Sequence, residues 1–168
     1  GPAGVWPDAG VDGGSAWRAG AVPEKLRVRM ADAGAGWGYR AGPVLQRAGV
    51  ASLDLIEAEA LSLDCARLNV TDTRANFHWA DATQFAPEAA YDGIVMNPPF
   101  HTGRAAEPSL GRAFIAASAR ILAGHGKLWM VANRHLPYEQ ALRDAFRNVD
   151  EIAGNGAFKV FHATRPIR

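Results

Sequence analysis

Short apolar runs alternate with stretches of helical spacing along most of this chain. Val28 to Asp32 ends in the glycine cluster Gly34-Ala35-Gly36-Trp37-Gly38, and a helix-compatible stretch follows to about Ala48, with Pro43 near its first turn. Leu53 to Glu57 is the second run. Leu61, Cys65 and Leu68 then recur at i, i+4 and i+7, which predicts one buried helical face. Asn76 to Ala80 and Tyr91 to Asn97 read as the third and fourth strands, the fourth stopped by Pro98-Pro99 because proline cannot donate to a sheet ladder. Phe114, Ser118 and Ile121 mark the buried face of the next helix, with Arg112 and Arg120 turned outward. Lys127 to Ala132 is a fifth strand, and Tyr138, Leu142 and Phe146 stripe the helix after it. Val149 to Ile152 and Phe158 to His162 flank the turn Gly154-Asn155-Gly156, which predicts a closing antiparallel hairpin. The order is βαβαβ, then βαβαββ. Such alternation needs a mostly parallel sheet covered on both faces and joined by right-handed crossovers, an α/β, doubly wound, Rossmann-like fold. In these sheets ligands bind beyond the carboxyl ends of the strands at the topological switch point, where Asp32, Glu57, Asp81 and Asn97 would all emerge.

At 168 residues the chain is the size of one domain. Residues 1–20 are Gly-rich and loop-like, and Gly1-Pro2-Ala3-Gly4 reads as a cloning remnant or the cut end of a longer protein, so the domain proper is expected over residues 21–168. No run of apolar residues is long enough for a membrane-spanning helix. The single cysteine, Cys65, can form no internal disulfide and no multi-cysteine zinc site, which fits a reducing cytoplasm; as part of the apolar helical stripe it is expected in the core. The five histidines include no i, i+4 pair, so no metal ligand is expected. Charge is uneven: residues 1–97 carry 8 Lys/Arg against 12 Asp/Glu, and residues 98–168 carry 10 against 5. A basic second half suits a polyanionic partner, with Arg104, Arg134, His135 and Lys159 as candidates near the crevice mouth.

The glycine loop lets a ligand approach bare backbone, as dinucleotides and adenosylmethionine both require. Glu57 lies 23 residues after Gly34, where a carboxylate can accept both hydroxyls of a ribose. Asn97-Pro98-Pro99-Phe100 decides between the two ligands. An exocyclic amine becomes nucleophilic when it loses conjugation with its ring, and two fixed acceptors, the Asn97 side-chain oxygen and the Pro98 carbonyl, can draw its N–H groups into that state. Phe100 adds a flat face for stacking a base.

These segments together resemble the catalytic C-terminal domain of the bacterial small-subunit (16S) ribosomal RNA guanine-N2 methyltransferases, a class I S-adenosylmethionine-dependent family. The resemblance covers roughly residues 28 to 162 and includes Val95-Met96-Asn97-Pro98-Pro99-Phe100-His101-Thr102-Gly103, Asn133-Arg134-His135-Leu136-Pro137-Tyr138 and Phe158-Lys159-Val160. It implies S-adenosylmethionine as cofactor, with Asp32, Gly34 and Gly36 at its methionine end, Glu57 on the ribose, Asp81 on the adenine amine with Ala82 nearby, and Asn97 bordering the same pocket. Asn97, Pro98 and Phe100 would be catalytic, and Pro99, Phe100, His101, Arg104, Arg134 and His135 would meet the substrate. The partner implied is ribosomal RNA or the small ribosomal subunit. Family members usually carry a degenerate methyltransferase-like domain in front, and Val11 to Ser15 resembles the stretch they place over the cofactor.

Three other readings stay open at this point. The same four-residue motif suits adenine-N6 or protein glutamine-N5 methylation. A noncatalytic methyltransferase-like RNA-binding module would keep the fold. An NAD-linked dehydrogenase would keep the glycine loop but gives no account of Asn97 to Phe100.

Overall fold

The computed structural model of the chain describes residues 28–47, 49–98, 101–102, 105–106 and 108–168. The expectations for residues 1–20, including the Val11 to Ser15 stretch, lie outside them. The elements in chain order are β1 (Val28–Ala33), α1 (Ala41–Leu45), β2 (Val50–Glu57), α2 (Ala60–Asn69), β3 (Ala75–Trp79), β4 (Tyr91–Met96), β5 (His101–Thr102), β6 (Ala105–Ala106), α3 (Pro108–Ile121), β7 (Leu122–Asn133), α4 (Glu139–Ala145), β8 (Phe146–Gly154) and β9 (Phe158–Pro166). Seven strands form one sheet in the order β3-β2-β1-β4-β7-β9-β8, while β5 and β6 make a separate two-stranded pair. Pairing is parallel from β3 to β7 and antiparallel from β7 through β9 to β8. This is the expected doubly wound, Rossmann-like sheet with its closing antiparallel hairpin.

Central parallel strands are buried on both faces and therefore read as continuous apolar runs. In β4, Ile94 and Met96 face one core while Val95 faces the other. The first core takes Phe114, Ile115, Ala119 and Ile121 from α3 and Leu142 from α4, whereas the second takes Ala41, Val44 and Leu45 from α1 and Ala66 from α2. At Gly111 in α3 a Cβ would stand 2.2 Å from the Tyr138 hydroxyl, so only glycine lets that ring lie on the helix. Asp54 is a buried carboxylate of β2 and accepts hydrogen bonds from Tyr91 Oη at 2.5 Å, Arg29 Nη2 at 3.1 Å and Asn76 Nδ2 at 3.2 Å. Four strands are tied to one charge in this way. Burial first, and then the Asp54 carboxylate, push the Tyr91 phenol well above its ordinary value.

Two local expectations are corrected. Leu61 is 70% and Leu68 81% exposed and Cys65 is only half-buried, so their stripe faces outward; α2 buries Leu63 and Ala66 instead. The rotation follows from packing. Ala66 and Val70 fit against the glycine loop, where a Cβ on Gly38 would be 3.4 Å from Ala66 Cβ and 2.8 Å from Val70 Cγ2. Periodicity alone cannot choose between two apolar faces of one helix. The fifth main strand also starts earlier than the apolar run, at Leu122, because Leu122 pairs with Tyr91 before an irregularity brings Lys127 opposite Gly93.

Candidate active site

β1 has β2 on one side and β4 on the other, so the connections that leave it diverge and open a crevice at its carboxyl end. Parallel register sets the level. Ala33 lies opposite both Ile56 and Met96, and Glu57 lies opposite Trp79. Gly34, Glu57, Asp81 and Asn97 thus leave the sheet along one edge despite their separation in sequence.

The loop after β1 turns on Gly34, Gly36 and Gly38, with φ of +74°, +58° and +89°. Side chains rarely tolerate that region. The N–H groups of Gly34 and Ala35 both donate to the Ile56 carbonyl, at 2.9 and 3.0 Å. A Cβ at Gly34 would stand 3.3 Å from Phe114 Cε1 and 3.7 Å from the Asn97 carbonyl, so Phe114 forms the floor beneath the junction of the two loops.

Glu57 ties this loop to the next helix. Its Oε1 accepts from the Gly36 N–H at 2.7 Å and its Oε2 from the Glu59 N–H at 2.8 Å. Each carboxylate oxygen keeps a second lone pair for a hydroxyl donor. Asp81 holds its own turn, where Oδ1 accepts from the Thr83 N–H at 2.9 Å and the Thr83 hydroxyl at 2.7 Å, and Oδ2 is left over. Ala82 is buried and its methyl belongs to the main core.

Asp32 is wholly buried. Arg40 donates to Oδ1 from both Nε (2.9 Å) and Nη2 (2.7 Å), while Oδ2 has no hydrogen-bond partner among the described residues. Burial raises the Asp32 pKa, and Arg40 works against that rise. Asn97, at the end of β4, shows the same feature: its Oδ1 is buried and without a partner among the described residues. Buried acceptors in native proteins are nearly always satisfied, so two orphans on neighbouring strand ends mark a place shaped for donors from outside the chain. Pro98 is buried beside Asn97. Pro99, Phe100 and Arg104 lie outside the described residues, as does the His101 side chain, whose backbone pairs with Ala106.

At the carboxyl end of β7, His135 is exposed and its N–H is held by Asn133 Oδ1 at 3.0 Å. Arg134 braces the β8–β9 turn instead of standing free: Nε donates to the Asn155 carbonyl at 2.5 Å, and Nη2 lies 3.5 Å from Glu151 Oε2. Lys159, expected at the crevice mouth, is only 6% exposed and paired with Glu139. Strand alternation buries it.

Two residues of the crevice escaped sequence reasoning. Arg40 carries a signal, a cation just past the glycine loop, but its return to Asp32 depends on three left-handed glycines. Phe114 reads as ordinary core. Among the described residues there is no group of three or more potential metal ligands, and no helix is long and apolar enough to cross a membrane.

Residues 1–162 match the family of the methyltransferase small domain. The chain is 32% identical over 138 residues to the ribosomal RNA small subunit methyltransferase C of Shewanella halifaxensis, covering 82% of this chain and 40% of that protein. It is 31% identical over 170 residues to the ribosomal RNA large subunit methyltransferase G of Alcanivorax borkumensis, covering 98% of this chain and 43% of that protein. Among solved structures, the T. thermophilus 16S rRNA N2 methyltransferase in complex with AdoMet and guanosine superposes with a TM-score of 0.67 at 27% identity, over 95% of this chain and 43% of that one. The chain thus spans less than half the length of each of these three relatives.

Proposed function

This chain belongs to the methyltransferase small domain family, and from that premise we propose that it transfers the methyl group of S-adenosylmethionine to the exocyclic N2 amine of a guanine in small-subunit ribosomal RNA. The observation that carries the reading is the buried Asn97 Oδ1 at the end of β4, unpartnered among the described residues, with a second such acceptor on Asp32 at the end of the adjoining β1. The cofactor fits the residues present: a left-handed glycine loop, a carboxylate at the end of β2 and the free Asp32 oxygen.

In this reading Asp32, Gly34 and Gly36 hold the methionine end, Glu57 the ribose, and Asp81 through Oδ2 the adenine amine, with Ala82 backing it and Asn97 bordering the pocket. When bound, the cofactor supplies an electrophilic methyl group on its sulfonium. Asn97 Oδ1 and the Pro98 carbonyl accept the two N–H groups of the amine, so its lone pair turns toward that methyl, and both acceptors stabilise positive charge as it develops on nitrogen. Pro99 and Phe100 meet the base, and His101, Arg104, Arg134 and His135 line the approach of the RNA. Cys65 has no part, because amine methylation needs no covalent intermediate.

Guanine is supported by the guanosine bound in the T. thermophilus relative, and the small subunit by the S. halifaxensis relative. The large-subunit relative makes the subunit a measurable choice. Tritium transfer from labelled S-adenosylmethionine to separated ribosomal subunits, followed by nucleoside analysis, should give N2-methylguanosine in the small subunit. Label in N6-methyladenosine, in protein glutamine or in the large subunit would overturn the corresponding part of the assignment. Absence of both label transfer and cofactor binding would identify a noncatalytic RNA-binding module.

A further inference from the structure

The Asp32–Arg40 pair does not have the form of a simple neutralising salt bridge. A guanidinium facing a carboxylate usually makes two parallel bonds to the two oxygens. Here Nε and Nη2 of Arg40 both converge on Oδ1, and Nη2 is shared with the Gly34 carbonyl at 2.7 Å. That geometry leaves one acceptor, Asp32 Oδ2, buried without a partner, and one donor group, Arg40 Nη1, unpaired among the described residues. The Asp32 side chain is 0% and the Arg40 side chain 14% exposed.

A lone buried carboxylate would attract any cation. With Arg40 beside it the local net charge is close to zero, so a purely cationic group gains little, whereas a group carrying both charges is matched at each end. We propose that Arg40 and Asp32 act together as an anchor for a zwitterionic amino-acid end, Arg40 Nη1 taking a carboxylate and Asp32 Oδ2 an ammonium. This rests on the S-adenosylmethionine reading and adds to it that Arg40 is a cofactor-binding residue and that the pocket requires an intact amino acid.

Calorimetric titration with three ligands tests it: S-adenosylhomocysteine, its decarboxylated analogue, which keeps the ammonium, and 5′-methylthioadenosine, which lacks both charges. Wild-type protein should bind the decarboxylated analogue about 10- to 100-fold more weakly than S-adenosylhomocysteine, the range for one charge-assisted hydrogen-bond pair. Arg40→Met should weaken S-adenosylhomocysteine by the same factor, leave 5′-methylthioadenosine within about threefold, and leave the decarboxylated analogue bound at least as tightly as by the wild type, since the Asp32 carboxylate then faces its ammonium without a competing cation. Equal weakening of all three ligands by Arg40→Met would make Arg40 a structural brace and overturn the proposal. So would wild-type protein that binds the decarboxylated analogue as tightly as S-adenosylhomocysteine, a comparison that needs no variant. Binding of none of the three by wild-type protein would instead overturn the S-adenosylmethionine reading itself.

Discussion

Asn97 and Asp32 each keep a buried oxygen that no donor among the described residues reaches, an arrangement that costs stability and suits a donor from outside the chain. At Asn97 this separates folding from chemistry. Asn97→Ala removes the orphan, so the melting temperature should stay level or rise, while turnover on ribosomal RNA falls ~100- to 1,000-fold and cofactor affinity stays within a few-fold. Near-normal turnover would rule out the amine-activation role. Glu57 behaves differently because it holds both the Gly36 and Glu59 N–H groups. Glu57→Ala should cost about 2 to 3 kcal/mol of cofactor binding, roughly 30- to 150-fold by titration, and should also lower thermal stability. Asp32 supplies a pH test. Its pKa is raised by burial against the pull of Arg40, so its contribution to folding stability is greatest below the ordinary value of 3.8 and is lost as pH rises through the raised one. Cofactor affinity has the opposite sign, because only the ionised form can hold an ammonium. It should weaken as pH falls from 7 through the raised value, and Asp32→Asn should flatten that profile.

Among the elements, α2 carries two competing apolar faces, and only one is buried. Leu63→Ala should cost about 2 to 5 kcal/mol, whereas Leu61→Gln or Leu68→Gln should change stability by less than about 0.5 kcal/mol. Comparable losses at all three positions, measured by denaturant unfolding, would mean that the outward face is covered. The α3–α4 junction is set by Gly111 against Tyr138, where an added Cβ would stand 2.2 Å from the hydroxyl. Gly111→Ala should cost about 1 to 3 kcal/mol by overpacking. Tyr138→Phe should be neutral or stabilising, since the hydroxyl it removes is buried without a partner among the described residues. The pair between α4 and β9 adds a pH dependence: burial opposes ionisation of Glu139, but the Lys159 hydrogen bond, a backbone hydrogen bond and the charges of Lys159 and Arg143 together outweigh it and lower its pKa. That stabilisation is present above the ordinary carboxylate value and is lost as pH falls through the lowered one; Glu139→Gln should remove this acid-side loss.

Across the whole molecule, the excess of basic residues lies in the second half of the chain, which supplies β7, the α4 helix and the closing hairpin. If that half faces RNA, affinity for RNA should fall steeply with salt, by about 0.7 in log K per phosphate contact for each decade, while cofactor affinity stays nearly flat. Lys159→Ala should leave the salt slope unchanged because that ammonium is already buried on Glu139. Arg134→Ala should loosen the β8–β9 turn as well as weaken RNA binding. A flat salt response would return the basic half to ordinary solvated surface.

The order of elements, the mostly parallel sheet, the closing hairpin and the strand-end residues Asp32, Glu57, Asp81 and Asn97 were legible because each rests on local information: apolar runs of strand length, glycine and proline punctuation, and the rule that ligands gather where parallel strands end. The resemblance to the ribosomal RNA methyltransferases rested on equally local motifs and agrees with the relatives found. Tertiary structure decided which side of each motif meets water. The outward turn of Leu61 and Leu68, the burial of Lys159, the engagement of Arg134 and the half-used pairing of Arg40 with Asp32 all depend on neighbours brought together by register and by left-handed turns. Residue spacing fixes which side chains share a face, but the solvation of that face is set by what the rest of the chain packs against it.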